Sequence, residues 1–326
     1  MVRMKIVLLS FTVMAFFACA WAQEEKREIV LGTQPCILSA PLLIAQENGY
    51  FKEEGLRIKI KEFPTANAAF KMMLEEGVLD MATADQPSVV FNGLENRNFV
   101  IIAGISLSDK ELTMLCRKDR IKNAADLRGK KIGLPLASTS HVFLNYFLIH
   151  NELFASEVKT IDMDAAHLPQ AIFNDQVDCI ACGEPYIYEA KQLLSYNYLV
   201  LSKERIYRED FYIVLHRDFA INNPGTLRHF LKAVDKAEKF IARHKEEAIR
   251  IVSSRLKLNP NFIASTWDKF TFDLFLDQLI LVALEDETHW AIKDGLTTEK
   301  EIPNYLDFIF TQALEDLEPK AVTIIR

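Results

Sequence analysis

Hydrophobic residues recur along the chain with two alternating periods. Runs with the two-residue period of a strand, such as LRIKIKEF (56–63), alternate with runs of helical period, such as ANAAFKMMLEEG (66–77). The same rhythm begins again with KKIGLP (130–135) and HVFLNYFLIHNEL (141–153). Because strands that alternate with helices form parallel sheets covered on both faces, the pattern predicts an α/β fold.

A short signature occurs once in each of these two series. The first copy is DMATADQP (80–87) and the second is DCIACGEP (178–185), and both follow the end of a predicted helix. The spacing from Asp to Pro is the same in both copies, and it aligns Gln86 with Glu184. A signature at the same step of two series predicts duplicated lobes. The length of 326 residues allows each lobe its own core.

The second copy contains Cys179-Ile-Ala-Cys182, which has the spacing of thiol oxidoreductases and zinc sites. We expect this stretch to be a strand, so that the two side chains point to opposite faces and lie roughly 10 Å apart. A disulfide needs Cα atoms within about 7 Å. We therefore expect both cysteines to be reduced and unpaired, with Cys179 buried and Cys182 lining a pocket at the end of the strand.

The N-terminus has the features of a secretory signal. Arg3 and Lys5 precede an apolar run that is shorter than the ~20 residues of a membrane span, and a small-x-small pattern ends at Ala22. We expect cleavage after Ala22 and a periplasmic location. Lipid anchoring at Cys19 is not expected, because bulky phenylalanines precede this cysteine.

Charge and motifs restrict the function. Residues 1–22 contain two basic residues and no acids, so their removal changes the formal net charge from −7 to −9. This charge argues against a nucleic-acid partner, because phosphate binding needs a positive surface. The sequence has no G-x-S-x-G, H-E-x-x-H or P-loop motif, and its histidines are scattered. We expect neither an enzyme nor a metal or other cofactor.

Four predicted turns carry residues that commonly begin helices. Each could be only a helix cap, but two come from each series, so together they predict a cleft between the lobes at the carboxyl ends of the strands. Free N–H groups at helix starts suit an anionic ligand group. The residues concerned are Ser39 before Pro41, Asp85 and Gln86 before Pro87, Ser138 to Ser140, and Gly183 and Glu184 before Pro185.

Three segments, PLLIAQENGYFKEEGL (41–56), DLRGKKIGL (126–134) and DCIACGEPY (178–186), resemble the nitrate/sulfonate/taurine group of ABC-transporter solute-binding proteins. That group also includes binders of thiamine-related pyrimidines. The resemblance implies a monomer with the two-lobed periplasmic-binding-protein fold (type II). Each lobe would be a mostly parallel sheet flanked by helices, with a helical C-terminal tail on lobe 1. We expect a signal peptide at 1–22, lobe 1 at 28–115 and 208–326, lobe 2 at 116–207, and hinges near Leu115–Arg117 and Tyr207–Phe211.

The resemblance also implies a ligand site and a function. The chain would capture a small organic anion or zwitterion, such as a sulfonate, taurine or a carboxylate, and present it to the membrane permease of an ABC importer. No Arg lies in the turns of the implied site, and Asp85 and Glu184 place acid there. The implied ligand-binding residues are Thr33, Gln34, Pro35, Cys36, Asp85, Gln86, Ser138, Thr139, Ser140, His141, Cys182 and Glu184.

Three alternatives remain open at this point. The ligand could be a pyrimidine precursor of thiamine held by Glu184. The protein could be a ligand sensor that reports to a signalling receptor, because the binding chemistry would be the same. It could also be an enzyme similar to the pyrimidine-forming enzyme of fungi, although that enzyme is cytosolic and a signal peptide argues against it.

Overall fold

The computed structural model describes residues 27–325, apart from residues 96 and 202–204 and the side chain of residue 76. The predicted signal peptide, its cleavage after Ala22 and Cys19 lie outside the described residues. Within the described residues, no helix is both long and apolar enough to span a membrane.

Eleven strands in the described part of the chain form two sheets. They are β1 (Ile29–Thr33), β2 (Ile58–Glu62), β3 (Met81–Ala84), β4 (Phe99–Ser108), β5 (Thr113–Arg117), β6 (Lys131–Leu134), β7 (Lys159–Asp162), β8 (Cys179–Cys182), β9 (Tyr198–Val200), β10 (Glu209–His216) and β11 (Phe270–Thr271).

The α-helices of the described residues are α1 (Ala40–Glu47), α2 (Tyr50–Glu53), α3 (Ala66–Glu76), α4 (Gln86–Leu94), α5 (Thr139–His150), α6 (Leu168–Phe173), α7 (Tyr186–Leu194), α8 (Arg217–Asn222), α9 (Pro224–Arg243), α10 (Lys245–Leu256), α11 (Pro260–Thr266), α12 (Gln278–Lys293) and α13 (Gln312–Leu317). Short 3₁₀ helices lie at Ile37–Ser39, Ala124–Leu127, Ala155–Glu157, Ala165–His167, Trp267–Lys269, Tyr305–Phe308 and Pro319–Ala321.

The first sheet has the strand order β11-β4-β10-β3-β1-β2, and the second has the order β7-β6-β8-β5-β9. We call the first sheet and its helices lobe 1, and the second sheet and its helices lobe 2. The C-terminal helices pack on lobe 1, where α9 contacts α1 and α13. The expected α/β class with two sheets and a helical tail on lobe 1 is confirmed.

Each sheet is mixed rather than mostly parallel. The strands β2, β1 and β3 are parallel, as are β7, β6 and β8, but β10 pairs antiparallel with β3 and β5 pairs antiparallel with β8. The antiparallel strands enter directly from the other sheet. They are not preceded by the helical crossover within one sheet that keeps consecutive strands parallel.

The shared signature has the same structural role in both lobes. Asp80 accepts a hydrogen bond from the Val30 backbone N–H at 2.8 Å, and Asp178 accepts one from the Lys131 backbone N–H at 2.9 Å. Each Asp carboxylate therefore joins the start of one central strand, β3 or β8, to the start of its parallel neighbour, β1 or β6. This equivalence agrees with the predicted duplication.

The chain passes from the first sheet to the second in residues 109–112 and returns between β9 and β10. We call these two segments the crossovers. The predicted hinge at Leu115–Arg117 lies inside β5, directly after the first crossover. The predicted hinge at Tyr207–Phe211 spans the start of β10.

One cysteine prediction is wrong and another is confirmed. Cys179 is not reduced, because it forms a disulfide with Cys116, its direct partner across the antiparallel pair β5–β8. Cys182 is free and buried, and it packs in a different core cluster from Cys179, as the alternation of side chains along a strand requires. The prediction considered only a partner within the same strand, whereas the true partner lies 63 residues away in the sequence.

Candidate ligand-binding cleft

The carboxyl ends of four central strands carry the predicted site turns. Thr33 ends β1, Asp85 follows β3, residues 135–140 follow β6, and Gly183 and Glu184 follow β8. Contacts between the lobes occur at these turns, as described below. We call this region between the lobes the cleft.

Glu184 joins the two lobes. Its Oε1 atom lies 2.6 Å from the Nζ atom of Lys269, which belongs to the 3₁₀ helix Trp267–Lys269 of lobe 1. Its Oε2 atom accepts a hydrogen bond from the backbone N–H of Tyr188 at 3.0 Å, within the first turn of α7. The Glu184 side chain is 4% exposed and that of Lys269 is 26% exposed. Glu184 is thus both a helix-capping residue and one half of an ion pair across the cleft.

Asp85 and Gln86 have structural partners within lobe 1. Asp85 caps α4 by accepting hydrogen bonds from the backbone N–H of Ser88, at 3.0 Å, and from the Ser88 hydroxyl. Burial raises the pKa of Asp85. Gln86 is fully buried, donates to the Arg208 carbonyl at 2.6 Å and accepts from the Asp210 N–H at 2.9 Å. Gln86 therefore holds the second crossover against α4.

The turn after β1 is braced by side chains on both sides. The Thr33 hydroxyl accepts a hydrogen bond from the Thr83 hydroxyl at 3.2 Å, and the Gln34 amide oxygen accepts one from the Ala66 N–H at 3.2 Å. Pro35 is exposed in the same turn. Burial raises the pKa of the Cys36 thiol, and the nearby carboxylates of Glu111 and Glu209 raise it further.

The first residues of α5 face lobe 1. The Ser138 hydroxyl donates to the Pro135 carbonyl at 2.7 Å, and Ser140 is buried. Thr139 donates a hydrogen bond to the Glu209 carboxyl. The His141 ring meets the Trp290 ring edge-on, with 4.9 Å between centroids, and burial lowers the pKa of His141. α5 therefore reaches both β10 and α12 of lobe 1.

Sequence analysis missed two residues of the cleft, Glu111 and Glu209. Glu111 lies in the first crossover and Glu209 is the first residue of β10, so each sits where the chain changes lobes. The two carboxyls are hydrogen-bonded to each other. Burial raises the pKa of Glu111 to about 7 and raises that of Glu209 well above its usual range. Because two adjacent carboxylates repel, this arrangement favours a state in which one proton is shared between them.

Nothing near Glu111 or Glu209 in the sequence indicates this pairing. The two residues are 98 positions apart and belong to no motif. Only the positions of the two residues beside the crossovers could have suggested that they pair. Those positions become clear once the strand order is known.

The cleft contains more acid than base. Glu111 and Glu184 lie near Lys269, whose ammonium is already paired with Glu184, and Glu209 adjoins Glu111. Lys191 of α7 is a second cation near Glu184 and Lys269. None of the predicted site residues is an Arg. Among the described residues, no group of three or more His, Cys, Asp or Glu side chains could hold a metal ion.

The chain was compared with known proteins. Residues 38–248 match the family described as NMT1/THI5 like. The nitrate/nitrite binding protein NrtA of Nostoc sp. is 24% identical over 261 residues, which cover 72% of this chain and 59% of NrtA. The 4-amino-5-hydroxymethyl-2-methylpyrimidine phosphate synthase THI11 of Saccharomyces cerevisiae is 25% identical over 235 residues, which cover 67% of each chain.

Solved structures agree with this family match. The periplasmic aliphatic sulphonate binding protein SsuA from Escherichia coli superposes with a TM-score of 0.75 at 19% identity, over 89% of this chain and 98% of that chain. The resemblance predicted from the sequence is confirmed by the family match, and the predicted architecture is confirmed by the superposition. The chain belongs to the NMT1/THI5-like family and has the fold of periplasmic solute-binding proteins.

Proposed function

We propose that this protein is the solute-binding component of an ABC importer, which captures a small molecule in the cleft and presents it to a membrane permease. The observation that carries the proposal is the meeting of four strand-end turns, two from each lobe, where both crossovers join the lobes. In open α/β sheets, ligands bind at the carboxyl ends of strands. NrtA and SsuA, which are binding proteins by name, support the same role. The protein acts as a monomer outside the cytoplasm.

The acid-rich cleft favours a ligand that carries an amine or another nitrogen donor. A purely anionic ligand would meet Glu111, Glu184 and Glu209, whereas of the two described lysines near Glu184, Lys269 is already paired with it. We therefore infer an amine-bearing solute, either a zwitterion such as taurine or an aminopyrimidine. THI11, whose name contains an aminopyrimidine, supports the second possibility.

A simple sulfonate or carboxylate is the second candidate. The N-terminus of α5, with Ser138 as its N-cap and Thr139 as its first residue, offers backbone N–H groups and hydroxyls to an anion. The fold shared with SsuA is compatible with this ligand.

A catalytic role has little support in the described residues. Burial raises the pKa of both free thiols, Cys36 and Cys182, which disfavours the thiolate that a cysteine nucleophile needs. A ligand sensor would use the same cleft. Reconstitution with a candidate ABC permease separates the two roles, since only a transport component stimulates uptake.

A thermal-shift panel tests the proposal. The panel contains taurine, isethionate, nitrate and 4-amino-5-hydroxymethyl-2-methylpyrimidine. We expect taurine or the aminopyrimidine to raise the melting temperature in a concentration-dependent way, because a ligand that binds only the folded state stabilises it. Stabilisation by isethionate alone would support the second candidate, and stabilisation by nitrate alone would indicate an inorganic anion instead. No stabilisation by any member would contradict solute capture of either class.

A further inference from the structure

The Glu111–Glu209 pair lies on the two segments that join the lobes. The backbone N–H of Glu111 donates to the Ser108 hydroxyl at 3.0 Å, and the same hydroxyl donates to the carbonyl of Lys269 at 2.8 Å. Ser108 therefore fixes the first crossover beside the 3₁₀ helix of Lys269. Glu209 is held from the other lobe by Thr139.

Both carboxyls have an oxygen without a donor. The Oε2 atoms of Glu111 and Glu209 are buried and have no hydrogen-bond donor among the described groups. Glu209 as a whole is only 9% exposed. A proton shared by the pair satisfies these oxygens only in part, and leaving buried polar atoms unpaired is destabilising. Carboxylates in this position are typical of a site that receives donors from a ligand.

Lobe 2 leaves space for these carboxyls at Gly183. A Cβ atom at position 183 would lie 2.7 Å from the Oε1 atom of Glu111, too close for any side chain there unless the carboxyl moved. The absence of a side chain at Gly183 thus lets the Glu111 carboxyl approach the end of β8, next to Glu184.

Within the part of the chain that the structure describes, no Lys or Arg forms an ion pair with Glu111 or Glu209. Glu111 faces Glu184 and Lys269, which are paired with each other, whereas Glu209 faces Asp85, Thr139 and Tyr207. The Cys36 thiol lies near both carboxyls and stays protonated. These described neighbours of the pair are thus acidic, neutral or already neutralised.

We propose that Glu111 and Glu209 form a subsite for a protonated amine or amidinium group of the ligand, which replaces the shared proton. This inference rests on the proposed function and specifies the ligand group that the cleft recognises. The proton leaves to solvent as the cation arrives, so that one positive charge replaces another. Both carboxyls are then ionised, and each accepts a hydrogen bond from the ligand nitrogen.

Calorimetric titration with matched probes tests this subsite. Taurine is compared with isethionate, and 4-amino-5-hydroxymethyl-2-methylpyrimidine with its 4-hydroxy counterpart, so that only the amino group differs within each pair. We expect Glu111→Gln and Glu209→Gln to weaken the amino probe that binds by about 10-fold to 100-fold. Binding of the hydroxyl counterpart should be unchanged or tighter. Glu246→Gln, an exposed acid on α10, serves as the control and should change neither.

A second measurement covers the case in which a variant is poorly folded. Taurine titrated into the wild-type protein at pH 7, in two buffers of different ionisation enthalpy, should release about one proton per bound molecule. If neither amino probe binds while a hydroxyl counterpart does, the subsite is wrong but solute capture survives. If no probe binds and no small molecule co-purifies, both the subsite and the proposed solute-binding function are wrong. If Glu111→Gln and Glu209→Gln weakened binding of the amino and hydroxyl probes equally, the two carboxyls would be purely structural. That result would overturn the inference.

Discussion

Glu184 has partners in both lobes, and its contribution to stability depends on both. Removing Lys269 alone leaves a carboxylate that is 4% exposed without its cation, which is more destabilising than removing the pair together. We predict that Lys269→Met destabilises the protein by about 2 kcal/mol, less than for fully buried pairs because Lys269 is partly exposed. The double variant Lys269→Met/Glu184→Gln should recover part of this loss. Urea denaturation measures the free energy of unfolding of both variants. If Lys269→Met and the double variant were as stable as the wild type, the ion pair would not couple the lobes.

The buried carboxyls predict an unusual dependence of stability on pH. The pKa of Glu111 rises from about 4.5 to about 7 on folding, so the folded state binds more protons than the unfolded state between these values. The contribution of Glu111 to stability should therefore be fully present below about pH 4.5, should fall as the pH rises from there to about 7, and should be lost above that value. We predict that Glu111→Gln reduces this fall, by an amount on the order of 1–2 kcal/mol.

Melting temperatures of the ligand-free protein from pH 5 to 8 provide the check. Glu54 does not interfere, because Lys236 and its neighbours lower its pKa to about 2 and its contribution changes only in more acidic solution. A variant whose melting temperature follows the same pH profile as the wild type would contradict the shared proton.

Local chemistry could be predicted at this scale, but long-range pairs could not. The caps Asp85 and Ser138 follow from residue type and position, and both begin helices where predicted. The partners of Gln86 and Glu184 lie in distant segments, at Arg208, Asp210 and Lys269, and no local pattern identifies them.

At the scale of elements, the antiparallel pair β5–β8 is fixed by the disulfide between Cys116 and Cys179. A cross-link that closes a loop of this length stabilises mainly by restricting the unfolded chain. We predict that the double variant Cys116→Ala/Cys179→Ala loses about 2–4 kcal/mol of stability. Cys36→Ala/Cys182→Ala is the matched control without a cross-link and should lose less.

Counting free thiols in denaturant tests the same pairing directly. The protein without residues 1–22 should have two reactive thiols before reduction and four after it. Four reactive thiols before reduction, in protein isolated from an oxidising compartment, would contradict the disulfide.

The order of strands and helices could be predicted from periodicity, whereas their pairing could not. The two parallel sets β2-β1-β3 and β7-β6-β8 follow from strand–helix alternation and from the repeated Asp signature. The antiparallel strands β5 and β10 arise because the chain exchanges sheets, which hydrophobic patterning does not encode. For that reason the disulfide between Cys116 and Cys179 was not predicted.

At the scale of the whole molecule, side chains of the two lobes meet across the cleft. The Tyr188 ring of α7 lies 4.8 Å from the Phe262 ring of α11, and His141 of α5 meets Trp290 of α12. These contacts stabilise the arrangement of the lobes seen in the structure, and we expect a ligand that binds between the lobes to favour the same arrangement. Closure should therefore depend on both the contacts and the ligand.

We predict that Tyr188→Ala favours opening. Its radius of gyration without ligand should exceed that of the wild type, and binding of an amino probe should weaken by about 3-fold to 10-fold, since an aromatic contact contributes roughly 1 kcal/mol. Tyr196→Ala is the control, because Tyr196 is 93% exposed. Small-angle scattering with calorimetry checks both quantities. If Tyr188→Ala and Tyr196→Ala had the same radius of gyration and the same affinity for the probe, the Tyr188 ring would not contribute to holding the lobes together.

Native mass spectrometry of freshly purified protein tests the central claim most directly. If the cleft captures an amine-bearing solute, the folded protein should carry one small molecule, which denaturation releases and whose fragments contain a basic nitrogen. The Glu209→Gln variant should retain less of it, and Glu246→Gln should retain as much as the wild type. A released molecule that is purely anionic, retained equally by all three proteins, would contradict the account.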